Sequence, residues 1–381
     1  MAATSHRRLV NPMLGIYFGI FTSTVTGLVL MLLVLEQLGI PDGALRLAML
    51  VCPIVLFIAV GAAAACREPA DYFAAGRRVP AVYTGLVLAL SAVGGTGLVG
   101  MTGLYFINGF DAWCIAIGIW AGFVVMALLV APYLRKHGSY TVPSYLGRRL
   151  DNRLARIVAA AVMLVPMILV TVAELKMGAY AASWLSGWSQ GLVTQLLVLT
   201  VIPMLVLGGV RSLTWTNAGQ GIIALIALVV PVGIVAALET NLPFPQLSHG
   251  PVLRGLGRIE AMQGVPINIA PMLALDFAGQ ELTALANRIA QPYASVGPIS
   301  FLLMILTVTC GIAASPWLLP RTVCTPGVYD TRKSVAWAIV FSGLVLISAA
   351  SVAVFLRDIL MDQVIGKSPR ELPPWFRQLV E

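Results

Sequence analysis

Ser91-Ala92-Val93-Gly94-Gly95-Thr96-Gly97 interrupts an apolar run that extends from residue 81 to residue 107. About 20 apolar residues suffice to cross a bilayer as a helix, so the run is long enough to span one. Three of its glycines fall within four positions at mid-span. In hydrocarbon an unpartnered N–H or C=O costs several kcal/mol, so irregular backbone survives there only where protein or a polar cavity covers it. A Gly-interrupted span is a sequence pointer to the binding site of a secondary transporter.

The composition around this run belongs to a membrane protein. Of 381 residues, 59% are hydrophobic and only 10% are charged, with a mean hydropathy of +0.91. Soluble domains carry roughly 25% charged residues. The net charge of +8 does not signal nucleic acid, because the basic residues sit between apolar runs, where topology signals belong. Cys52, Cys66, Cys114, Cys310 and Cys324 lack metal-ligand spacing and read as small apolar fillers. His6, His137 and His249 are scattered among loops, which argues against a metal site. The first apolar run is longer than the core of a signal peptide and reads as a retained anchor.

Nine apolar segments are long enough to span: 12–37, 46–65, 81–107, 111–134, 155–185, 189–208, 213–238, 296–320 and 334–356. With a cytoplasmic N-terminus, the inside segments hold 15 basic residues and the outside segments eight, which favours that orientation. The segment 239–295 is the one long connection and falls outside. A short helix is expected over 278–290, where Leu282, Leu285 and Ile289 share a face. Pro373-Pro374-Trp375 suggests an interfacial end to the polar tail.

Gly95, Gly97 and Gly100 formally match the GxGxxG dinucleotide fingerprint, but that motif needs a soluble strand–turn–helix unit. Two readings of the glycines remain open on spacing alone: close helix packing through small residues, or an unwound segment at a site.

The flanking motifs favour the second reading. Residues 68–80 read Glu-Pro-Ala-Asp-Tyr-Phe-Ala-Ala-Gly-Arg-Arg-Val-Pro. Further on stand Gly109-Phe110-Asp111, and Leu134-Arg135-Lys136-His137-Gly138-Ser139-Tyr140-Thr141 with Tyr145. Gly208-Gly209 leads to Trp215-Thr216 and Gln220, and Gly311-Ile312-Ala313-Ala314-Ser315-Pro316-Trp317 leads to Arg321 and then Arg332-Lys333-Ser334. Together, over 68–356, these resemble the sodium/solute symporter family, and the last segment resembles its acetate/monocarboxylate permease branch.

The resemblance implies an all-α membrane protein with about nine transmembrane helices, as an incomplete five-plus-five inverted-repeat transporter fold. Its parts would be two accessory helices (1–66), a first repeat (67–238), an extracytoplasmic loop (239–295), the start of a second repeat (296–356) and a polar tail (357–381). It further implies a sodium ion held by the carbonyls of Leu90 and Val93, with no organic cofactor. The solute would be lined by Ser91, Gly94, Gly95, Thr96, Ser315 and Trp317. Two residues depart from the family pattern: Ser91 replaces an Asp, and Trp317 replaces the permease His. The chain also stops where the family continues through at least three more core helices. The resemblance therefore implies a second polypeptide or further C-terminal sequence that completes the fold, or a module that no longer transports.

Glu174 and Lys176 lie inside the fifth span, where an ionisable residue is a functional candidate by default. Two positions apart on a helix, they point in different directions and do not pair with each other. Glu174 is expected at the solute lining, and Lys176 is expected to snorkel or to pair elsewhere. Asp111 is expected as a solvated cap at a span end. The leading expectation is a sodium-coupled symporter of a small solute such as acetate, in a bacterial inner membrane, with small-molecule and lipid partners and no enzyme activity. The alternative is a transport-deficient sensor or scaffold on the same fold.

Overall fold

The computed structural model describes residues 14–264, 268–269, 284–368 and 371–380. The elements in chain order are α1 (Leu14–Gln37), α2 (Asp42–Ala63), α3 (Pro69–Ala74), α4 (Ala81–Asn108), α5 (Trp113–Val125), α6 (Ala131–His137), α7 (Val142–Arg149) and α8 (Arg153–Ser186). Then follow α9 (Gln190–Thr240), α10 (Pro245–Gln263), a two-residue strand pair β1 (Asn268–Ile269) and β2 (Ala284–Leu285), α11 (Pro298–Ala313), α12 (Leu319–Thr322), α13 (Val328–Gln363) and α14 (Pro374–Val380). Apart from the strand pair the regular structure is helical.

Six helical stretches among the described residues are long and apolar enough to cross a membrane, and Pro298–Ala313 is a shorter apolar helix. Each of the nine sequence segments contains helix in its described residues. The third and fourth follow one another through a 3₁₀ turn at Gly109–Ala112, and the sixth and seventh are the two halves of α9, separated by a break at Gly209. The eighth, 296–320, is helical only to Ala313 and then turns before α12. Large apolar side chains such as Leu164, Val165, Leu169 and Val172 of α8 are exposed. That is the condition of a helix whose outer face meets lipid rather than water.

The chain forms two compact units. One comprises residues up to Thr96, Trp120–Ile226 and Thr309–Ser342; the other comprises Gly97–Ile119, Ala227–Val308 and Gly343 onward. In the first, Phe18 stacks on Tyr83 at 4.5 Å, and Trp215 meets Tyr83 edge-on at 5.9 Å. In the second, Val232, Ala236 and Phe355 form one cluster and Leu256, Ile289 and Val354 another.

The second unit corrects three expectations. The helix expected over 278–290 does not form in its described part. There Ala284–Leu285 is a strand, and the backbone that follows bonds outward: Asn287 N–H donates to Ile107 O (2.8 Å) and Ile289 N–H to Glu260 Oε2 (2.8 Å). Donors spent on distant acceptors cannot close i→i−4 turns. Instead α10 forms earlier in the same connection, opened by Pro245 in its first turn, where proline's missing N–H costs nothing.

Asp111 is buried rather than solvated. Its carboxylate accepts from the backbone N–H groups of Tyr293 (2.7 Å), Ser295 (2.7 Å) and Val296 (3.0 Å), and from Ser295 Oγ (2.9 Å). It fixes the approach to α11 instead of capping its own helix. Arg357, read as part of a polar tail, is also fully buried. It pairs with Glu260 (2.5 Å) and donates to the carbonyls of Phe106 (2.6 Å) and Asn287 (2.5 Å). A charge this deep persists only when paired and hydrogen-bonded, and both conditions hold here.

Candidate functional site

The seven-residue interruption is a real break. Gly94 has φ 67° and ψ 179°, which stops one half of α4 and lets another begin at Gly95. Only glycine takes this backbone without strain. A break leaves carbonyls without partners before it and N–H groups without partners after it. Two side chains from elsewhere in the first unit meet those groups.

Glu174 of α8 meets the N–H side. Its Oε2 accepts from Gly95 N–H (2.9 Å) and Thr96 N–H (3.3 Å), and its Oε1 accepts from Thr96 Oγ1 (2.5 Å). A Cβ on Gly94 would overlap the same carboxylate, so the glycine also provides the room Glu174 needs. Helix α8, which has Pro166 in its interior, carries the glutamate. It is capped by Asn152 Oδ1, which accepts from Leu154 N–H (2.8 Å) and Ala155 N–H (3.4 Å), and it ends at a left-handed Gly187.

Trp317 meets the carbonyl side. Its indole Nε1–H donates to Ser91 O at 3.1 Å. The indole reaches Ser91 from the turn between α11 and α12, where Pro316 follows Ser315. Ser315 is buried at 1% exposure, and its hydroxyl has no hydrogen-bond partner in the structure. Such a group costs roughly 1–3 kcal/mol, which is tolerable at a place where a ligand or water can take it up.

Of the sequence candidates, Glu174 is thus bonded to Gly95 and Thr96, and Trp317 separately to Ser91, with Gly94 lying in sequence between the two sets. Leu90 is half-buried and Val93 is buried, both in the last turn before the break. Lys176 is exposed on α8 and forms neither of the ion pairs of the described residues, Asp71–Arg211 and Glu260–Arg357. Among the described residues, no group of three His, Cys, Asp or Glu side chains converges as a metal site would.

The motifs quoted from the sequence dock on one another in pairs. Asp71 pairs with Arg211 (2.7 Å), and Tyr72 Oη donates to Leu205 O (3.2 Å), so residues 68–80 sit on the Gly208-Gly209 segment. Arg135 donates to the carbonyls of Thr325 (2.8 Å) and Pro326 (2.5 Å). Arg321 donates to the amide oxygen of Asn217 through both terminal nitrogens (2.9 and 3.0 Å). What sequence reasoning missed are the buried partners Glu260 and Arg357, whose only sign was an arginine at the end of an apolar run.

The helices and their exposed apolar faces define an integral, multi-pass membrane protein. The sequence pattern of the sodium:solute symporter family matches residues 72–240, so the resemblance read from the motifs is to that family. An uncharacterized symporter of Cupriavidus necator is 24% identical over 95% of this chain and 65% of its own length. A monocarboxylic acid transporter of Corynebacterium glutamicum is 26% identical over 82% of this chain and 56% of its own. A Na+-coupled sialic acid symporter, solved in a substrate-bound outward-open state, superposes with a TM-score of 0.63 at 14% identity, over 85% of this chain and 64% of that one. That likeness shows the fold. The chain thus spans somewhat less than two thirds of the length of these proteins. The family and these relatives are transporters, not enzymes.

Proposed function

We propose that this chain acts in sodium-coupled symport of a small solute, with a monocarboxylate such as acetate as the solute class, by alternating access. One observation carries the reading: at Gly94 a membrane helix is opened, and its freed polar groups are met by side chains that can move aside. Sodium is cargo in this scheme. Hard carbonyl oxygens suit it, and Leu90 and Val93 supply carbonyls in the turn before the break. The solute would lie against Ser91 and Gly94–Thr96 on one side and Ser315–Trp317 on the other, with Glu174 at the boundary. The unpartnered Ser315 hydroxyl supports that placement.

The printed name of the Corynebacterium relative supports the monocarboxylate class, and the sialic acid symporter likewise acts on a carboxylate-bearing solute with Na+. The family supports sodium as the coupling ion. Charge distribution supports a cytoplasmic N-terminus, and a bacterial inner membrane is proposed with it. We further propose residues 67–238 as the first repeat and 296–356 as part of the second.

The test is labelled acetate uptake into proteoliposomes with and without an inward Na+ gradient. The expected result is accumulation only with the gradient. Equal uptake in both conditions would remove sodium coupling, and no uptake of any monocarboxylate would remove the solute class.

A further inference from the structure

We propose that Glu174 is an internal competitor for the solute: its carboxylate occupies the seat that a solute carboxylate would take, and it sets how tightly such solutes bind. The inference rests on the monocarboxylate reading above. The seat is defined by what fills it. Three donors of the break, Gly95 N–H, Thr96 N–H and Thr96 Oγ1–H, converge on the two oxygens of one carboxylate. These are the donors at the start of a half-helix, the usual resting place for an anion.

Among the described residues, the hydrogen bonds that hold the occupant come from the break. Among the described residues, the ion pairs are Asp71–Arg211 and Glu260–Arg357, and Glu174 belongs to neither. The nearest cation in sequence, Lys176, stands about 200° around the helix and is exposed. Among the described residues no ion pair offsets a charge on Glu174, and a second carboxylate cannot share the seat with it without like-charge repulsion. Glu174 is also only half-buried, and its three-torsion side chain can leave without moving α8. A solute carboxylate must displace it, and the free energy of the Glu174 contacts is subtracted from solute affinity. The seat accordingly discriminates by charge. Solutes with a carboxylate are weakened, and removing the competing charge strengthens them.

The experiment is equilibrium binding of labelled acetate to the purified full chain, for wild type, E174Q, E174A and the double variant E174A/T96V, with thermal unfolding of each as a folding control. E174A is expected to bind acetate about tenfold or more tightly than wild type, as expected for restored access to a seat otherwise held by its own carboxylate. E174Q should gain less, because its amide oxygen still accepts one N–H. E174A/T96V should lose most of the gain, because the hydroxyl donor is gone. Acetate affinity equal to or below wild type in both single variants, with E174Q unfolding near the wild-type temperature, would overturn the proposal. So would an absence of acetate binding in every variant. Na+-driven uptake by the wild type is measured alongside. Uptake without any gain in the variants overturns this inference and leaves symport standing. A gain in binding without Na+-driven uptake supports the inference and removes the symport reading.

Discussion

Among the described residues two long helices, α4 and α9, are broken at a glycine, and the two breaks are met from different places. At Gly94 the loose backbone groups are met by side chains, Glu174 from α8 and Trp317 from the turn after α11. At Gly209, where φ is 53° and ψ −140°, the repair is a neighbouring stretch of chain. Cys66 N–H donates to Leu207 O (3.2 Å), Cys66 Sγ approaches Gly208 O (3.4 Å), and a Cβ on Gly209 would lie 2.6 Å from Tyr72 O. At Gly209 a backbone N–H and two side chains, Cys66 Sγ and Tyr72 Oη, all come from the one segment 66–72 packed against the break. At Gly94 a glutamate and an indole instead reach in from two separate elements. In the proposed scheme the break at Gly94 is the working one and that at Gly209 a scaffold.

Substitutions should keep these two apart. The largest effect is expected for Gly94→Ala, whose Cβ would enter the Glu174 carboxylate and whose φ would be strained. Na+-driven uptake should fall about a hundredfold or more, at roughly 1.4 kcal/mol for each factor of ten, while the protein still inserts and can be purified. Next comes Gly209→Ala. It should cost about 1–3 kcal/mol of stability, read as a lower unfolding temperature, with uptake per folded molecule within about twofold of wild type. An equal loss of uptake in both variants would erase the distinction.

Trp317→Phe keeps the ring and removes the donor to Ser91 O. The lost bond is worth about 0.5–1.5 kcal/mol, so the concentration for half-maximal uptake should shift about three- to tenfold without loss of folding. The smallest effect is expected for Asp71→Asn at the Gly209 side. The Asp71–Arg211 pair has side chains 22% and 38% exposed, so its removal should cost about 1 kcal/mol or less, and less still at high salt. Unfolding midpoints at two ionic strengths measure it.

Most of the helical frame was legible from hydropathy, because a span needs length and apolarity that no other element shows. The run at 81–107 became Ala81–Asn108, and 155–185 became Arg153–Ser186. The break was legible for the same reason, since glycines at mid-span have few uses. Which residue would meet it was only half legible. Glu174 stood out as a charge in an apolar run, yet its partners lie 78 and 79 residues away, and no local pattern encodes that contact. The Trp317–Ser91 bond bridges 226 residues and was visible only as a motif departure. Least legible was the second unit's polar core. Asp111, Glu260 and Arg357 look like ordinary surface charges in sequence and are all buried, because each is satisfied by backbone groups that only the folded chain supplies. The α10 helix was missed because its many glycines and prolines read as a loop.

The sharpest test of a working break at Gly94 is thiol protection. Single cysteines are placed at Ser91 and at Leu207, one beside each break, in a chain whose five native cysteines are alanine and which retains uptake. Modification rates are then measured with a water-soluble reagent, with and without Na+ and acetate. Na+ and acetate together should slow modification at Ser91→Cys and leave Leu207→Cys unchanged. Protection at Leu207→Cys alone, or at neither position, would contradict the assignment of the solute site to Gly94.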